Sequence, residues 1–126
     1  MSFTHSYMVP TTDWQDWLAG SVAFAADTGR VVSLDKCEKA RQEAYDYLHE
    51  WGMETDGGWL AYQSYMVRRS DMTEVEKVDR SEWYDRTSTG VGTRYELAGE
   101  PGNALTLVAC DLGDGMTEVW FDTYGV

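Results

Sequence analysis

The chain has 126 residues, with 22 acidic against 10 basic side chains for a formal charge of −12, and is 43% hydrophobic and 13% aromatic. That length suits one domain, and the apolar fraction is enough for a core, which argues against disorder despite the charge. A protein that grips DNA or RNA phosphates needs clustered Lys and Arg, so direct nucleic-acid binding is excluded.

In chain order, Phe3 to Val9 has a period of two and predicts a short strand ending before Pro10. Thr12 opens a helix signal, with Gln15 completing a capping box and Asp13 and Asp16 favouring the positive end of the helix dipole. Trp14, Trp17, Leu18, Val22 and Ala25 continue at helical spacing, so this helix is expected to run to about Gly29, with Gly20 a weak point inside it. A second helix is predicted from a Ser33 cap to Gly52, burying Cys37, Ala40, Ala44, Leu48 and Trp51. Asp56-Gly57-Gly58 marks a turn, and the aromatic-rich stretch Trp59 to Arg68 reads as strand. Residues 70–86 fit either a solvated helix or a polar hairpin. Three strands follow, at Thr93 to Ala98, Ala104 to Cys110 and Thr117 to Tyr124, joined by turns at 99–103 and 111–115. The expected fold is α+β in one domain spanning residues 1–126, with two N-terminal helices packed on a mainly antiparallel sheet formed largely by the C-terminal half.

No run approaches the roughly 20 apolar residues of a membrane span. The start, Met1 to His5, lacks the basic region and apolar core of a secretory signal. A cytoplasmic protein without membrane partners is therefore expected. Cys37 and Cys110 are widely separated without CxxC spacing, and read as small buried hydrophobes.

The charge is spread over both halves but not evenly along the chain. Between Arg41 and Arg68 there is no basic residue, while Glu43, Asp46, Glu50, Glu54 and Asp56 fall there. After Arg94 there is again none, and Glu96, Glu100, Asp111, Asp114, Glu118 and Asp122 follow. Glu43, Asp46 and Glu50 stand at i, i+3 and i+7, so three carboxylates share one helix stripe. Like charges at this spacing cost a few tenths of a kcal/mol each. On the last strand, alternation sets Val119 and Phe121 against Glu118, Trp120, Asp122 and Tyr124 on the other face. The candidate partner-binding residues are accordingly Glu43, Asp46, Glu50, Glu54, Asp56, Glu118, Trp120 and Asp122.

No catalytic signature accompanies them. Asp111 to Glu118 lacks the third-position oxygen of a calcium loop, where Gly113 stands, and hairpin chemistry explains Asp114-Gly115. His5 and His49 have no metal-ligand spacing, and Gly90-Val-Gly92 is too short for a phosphate loop. No catalytic residue, cofactor or metal is assigned. Arg68-Arg69 is read as offsetting nearby carboxylates.

In overall profile the chain resembles phage anti-CRISPR and anti-restriction proteins, and the immunity proteins that neutralise nuclease toxins. The resemblance is one of profile, and no residue is carried over from it. It implies a non-catalytic inhibitor that presents an acidic, DNA-mimicking surface to a basic protein surface, such as that of a nucleic-acid-binding effector or nuclease. The alternative is a small-molecule binder or small enzyme with Trp59, Tyr62, Tyr65, Trp83, Tyr95 and Trp120 lining a pocket between sheet and helices. A structural subunit that forms homodimers through a sheet edge or aromatic face is a third reading. A filled core with acids and aromatics facing outward would favour the inhibitor; an enclosed cavity with converging polar groups would favour the binder.

Overall fold

A computed structural model describes residues 4–25, 28–52, 66–83, 89–97 and 106–122, except for the side chains at 4, 5, 48 and 83. The fold is α+β with two antiparallel sheets. The larger sheet has the order β1-β8-β7-β6-β5, built from Thr4–Pro10, Met116–Asp122, Thr106–Asp111, Val91–Leu97 and Met72–Asp79. The smaller has the order β3-β2-β4, from Arg30–Ser33, Val22–Ala25 and Met66–Arg68. The C-terminal strands form the expected meander, and the N-terminal strand β1 completes their sheet beside β8.

Helix α1 (Thr11–Leu18) follows β1 directly, and here the structure departs from the sequence expectation. The cap position is Pro10, and no side chain caps the helix; Thr11 Oγ1 instead lies 2.9 Å from the Thr117 hydroxyl on β8. The helix ends at Leu18 with Ala19 as its C-cap; Gly20 follows with a φ of +78°, which suits a residue without Cβ, and Val22–Ala25 leave as strand β2. Trp14 and Trp17 are buried from α1, whereas Leu18 is exposed. The apolar spacing that seemed to extend the helix belongs to a four-residue strand: Phe24 faces the core with Trp17, and Ala23 and Ala25 face the opposite way.

The core lies between the two sheets, closed by α1. The rings of Trp14 and Trp17 stack at 4.9 Å, and Tyr95 meets both edge-on at 5.8 and 5.6 Å. Phe24 joins this cluster and contacts Phe121 from β8 at 6.1 Å. Each such pair contributes about 0.5–1.5 kcal/mol beyond area burial. Trp17 donates its indole N–H to the Val67 carbonyl at 2.9 Å, joining α1 to β4. The Arg69 guanidinium lies 5.1 Å from the Tyr95 ring centre, so the second arginine of the basic pair covers the aromatic core. Val31 and Val67 flank Phe24 in the small sheet, while Leu107, Val119 and Phe121 carry the large one.

Helix α2 (Leu34–Glu50) begins as expected: the Ser33 hydroxyl accepts from the Lys36 N–H at 3.2 Å. It packs against β2, β3 and β4, not on the C-terminal sheet. The arrangement is therefore layered, with the large sheet, the small sheet and then α2 on the small sheet's far face. Within the ambiguous stretch 70–86, the described residues form a 3-10 turn (Arg69–Asp71), the edge strand β5 and a short helix α3 (Arg80–Trp83), while 84–86 lie outside the described residues. Among the described residues no helix is long and apolar enough to cross a membrane.

Candidate binding surface

Among the described residues the buried stripe of α2 consists of Cys37, Arg41 and Ala44, with Ala40 partly covered; the Leu48 side chain, also expected there, lies outside them. Trp51, expected to complete this stripe, is instead the C-cap residue and is 64% exposed. The helix has ended there, so the ring no longer follows helical spacing onto the small sheet.

Arg41 is the polar member that the pattern did not reveal. It is 5% exposed and donates through Nη2 to the Met66 carbonyl at 2.9 Å and to the Asp71 carboxylate. Asp71 also accepts from Arg68, from Nη2 at 2.9 Å, Nε at 3.2 Å and the main-chain N–H at 3.3 Å. Arg68 in turn pairs with Glu38 on α2. Burial alone would push the Asp71 carboxyl up; the hydrogen bonds from Arg68 and Arg41, reinforced by their charges, hold it below its ordinary value. This chain of alternating charges fastens α2 to the small sheet. Burial likewise raises the thiols of Cys37 and Cys110, which are unpaired.

The opposite face of α2 is the strongest candidate surface. Glu43, Asp46 and Glu50 are all exposed there, and among the described residues none of them forms an ion pair. Asp46 accepts only from Gln42 one turn back, at 3.0 Å. Tyr47 lies on the same face, since Glu43, Asp46, Tyr47 and Glu50 stand at i, i+3, i+4 and i+7. It is 52% exposed, with its ring 6.2 Å from that of Trp51. Sequence reasoning missed both rings as surface residues. The available signal was Tyr47 one turn beyond Glu43 and Trp51 next to the terminating Gly52.

The β8 residues alternate as expected, with Thr117, Val119 and Phe121 buried and Glu118, Trp120 and Asp122 partly exposed on the outer face. Glu118 is engaged within the chain, accepting from Arg80 Nη2 at 3.0 Å. Beside it Val108 and Cys110 are buried on the same outer face. The two trios do not converge. One lies on the exposed side of α2 and the other on the outer side of the large sheet, with both sheets between them. Glu54 and Asp56 lie outside the described residues.

The proposed aromatic pocket is not assembled by the described residues. Tyr95 is packed in the core, while Trp120 lies on the other face of the same sheet. Trp59, Tyr62, Tyr65 and the Trp83 side chain are outside the described set. An open cleft of about 310 Å³ lies beside the ion-pair chain, lined by Glu38, Arg41, Gln42, Tyr45 and Arg68. In the hairpin at 111–115, the Asp111 and Asp114 carboxylates accept from the Gly113 and Met116 N–H groups at 2.8 and 3.1 Å. Among the described residues no group of three or more His, Cys, Asp or Glu side chains is placed to hold a metal ion.

No family model matches the sequence, and no curated protein or solved structure matches it.

Proposed function

We propose that this chain is a non-catalytic binding protein that occupies a basic, nucleic-acid-binding surface of another protein through the exposed face of α2. The observation that carries this reading is the company of Glu43, Asp46 and Glu50, exposed and without ion pairs among the described residues, with two large aromatic rings left in solvent. Unpaired carboxylates steer an encounter with a Lys- and Arg-lined cleft. Tyr and Trp then supply buried area with few rotatable bonds, which is why they dominate binding hot spots. The filled aromatic core favours this reading over a small-molecule pocket. The outcome for the partner is inhibition, as with anti-CRISPR, anti-restriction or immunity proteins, because the nucleic acid and the helix compete for one surface.

The test uses the immobilised chain and a triple variant Glu43→Lys, Asp46→Lys and Glu50→Lys as paired baits for lysate of the source organism. A supporting result is a basic protein retained by the wild type, lost with the triple variant, and displaced by added DNA or RNA. Its association rate should fall steeply between about 50 and 500 mM salt, as the Debye length shrinks severalfold. Retention unaffected by charge reversal, or a rate flat across that salt range, would refute the reading.

A further inference from the structure

Among the described residues the two sheets have four edges, and three of them are blunted. On β5 the residues Thr73 to Lys77 are exposed, charged at Glu74, Glu76 and Lys77, and interrupted by a register shift between Glu74 and Glu76. The small-sheet edges β3 and β4 are four and three residues long. Charge, bulges and short length are the usual means by which an edge avoids pairing with another chain. The seven-residue edge β1 has none of these along Thr4 to Val9.

The ladder shows which groups this edge presents. Thr11 donates to the Gly115 carbonyl at 2.9 Å, which continues the β1–β8 register of Pro10 opposite Met116. Hydrogen-bonded pairs alternate along an antiparallel ladder. The main chains of His5, Tyr7 and Val9 therefore bond to β8, while those of Thr4, Ser6 and Met8 face outward. Pro10 also faces outward, where its missing N–H costs the ladder nothing and stops further pairing. Beside this edge an open groove of about 410 Å³ separates Met8 to Pro10 from Thr28 to Val31. Met8 is 50% exposed on it.

We propose that β1 is a homodimerisation edge, pairing antiparallel with β1 of a second copy about a two-fold axis at Ser6. The charge distribution selects this occupant. Residues 1–12 contain no Asp, Glu, Lys or Arg, in a chain of net charge −12. Two such bodies repel, and β1 itself brings no carboxylate to the seam: Glu118 and Asp122 stand one strand back on β8, opposite Met8 and Thr4, while Asp13 and Arg30 line the groove beside the edge. The outward groups are also self-complementary: Ser6 faces Ser6 of the second copy, and Met8 faces Thr4. An isologous contact of this kind closes as a dimer and does not propagate. Because like charges oppose it, raising salt strengthens this association, the reverse of the effect on a basic partner at α2.

Sedimentation of the full chain across concentration, at about 50 and 500 mM salt, gives the test. The expected result is a species of twice the 14.3 kDa chain mass, more populated at high salt. Ser6→Pro removes one outward N–H without touching the β8 ladder, so it should abolish the dimer while leaving the circular dichroism spectrum unchanged, and its melting temperature should match the wild type's at concentrations where the wild type is monomeric. Met8→Lys places a charge on the edge and should do the same. A chain that stays monomeric at every concentration, or a dimer that survives both variants, overturns the proposal. These outcomes are read without the α2 partner, so they stand apart from the reading of that face.

Discussion

Replacing Asp71 by alanine removes the acceptor that neutralises Arg41 beneath α2. The Asp71 and Arg41 side chains are 10% and 6% exposed, and Arg68 also donates to the lost carboxylate. Stripping one partner from a buried ion pair costs about 3–5 kcal/mol, because the remaining charge is left in a poorly solvated site. Against a total stability of roughly 5–15 kcal/mol for a domain, that is a large fraction. It corresponds to a fall in melting temperature on the order of 10–20 °C for a chain of this size. Urea unfolding followed by tryptophan fluorescence and far-ultraviolet circular dichroism measures it. The double variant Arg41→Met with Asp71→Leu removes both charges while keeping apolar volume, so it should recover most of the loss; Arg68 retains Glu38. The pH dependence has a definite sign. The Asp71 value is held below its ordinary 3.8, so its contribution is present above that value and disappears as pH falls through the lowered one. The alanine variant lacks that component of acid lability. A stability loss below about 1 kcal/mol, or a double variant no better than the single one, would refute this account of how α2 is held.

Trp51→Ala and Tyr47→Ala should change stability by no more than about 0.5 kcal/mol, as expected for exposed positions, while each weakens capture of the basic partner by tenfold or more. Gly29→Ala should be strongly destabilising, by about 2–4 kcal/mol in chemical denaturation, since φ is +70° and a Cβ would lie 2.4 Å from the Tyr7 ring. Glu118→Lys should lower the melting temperature by setting two cations together at Arg80, whereas Glu50→Lys on the exposed helix face should leave it nearly unchanged.

The start of α2 was legible because its signals are local: a hydroxyl at Ser33 and an apolar stripe at helical spacing. The C-terminal meander was legible from turn residues, although the turn at 99–103 and Tyr124 lie outside the described residues. The end of α1 was not. Val22 and Ala25 keep helical spacing from Trp17 and Leu18, and a strand of four residues offers too few positions for a period of two to compete. Arg41 was hidden for a different reason: a cation on a buried stripe is tolerated only because Asp71, thirty residues on, meets it there. β5 read ambiguously because an edge strand exposed from Thr73 to Lys77 shows no alternation. For the candidate surface, the sequence located the acids but not their company. That Glu118 is spent on Arg80, and that the α2 and β8 trios face apart, depends on strand order and on which sheet α2 covers.

The two buried thiols sit in different layers, Cys37 under α2 on the small sheet and Cys110 on the outer side of the large one. A thiol-reactive dye reaches Cys37 only when the helix lifts, and Cys110 only when the outer face around Arg80 and Gly90 opens. Two labelling rates on one unmodified chain thus act as separate clocks. Equal rates would mean that both layers open in a single event; unequal rates would identify which layer gives way first.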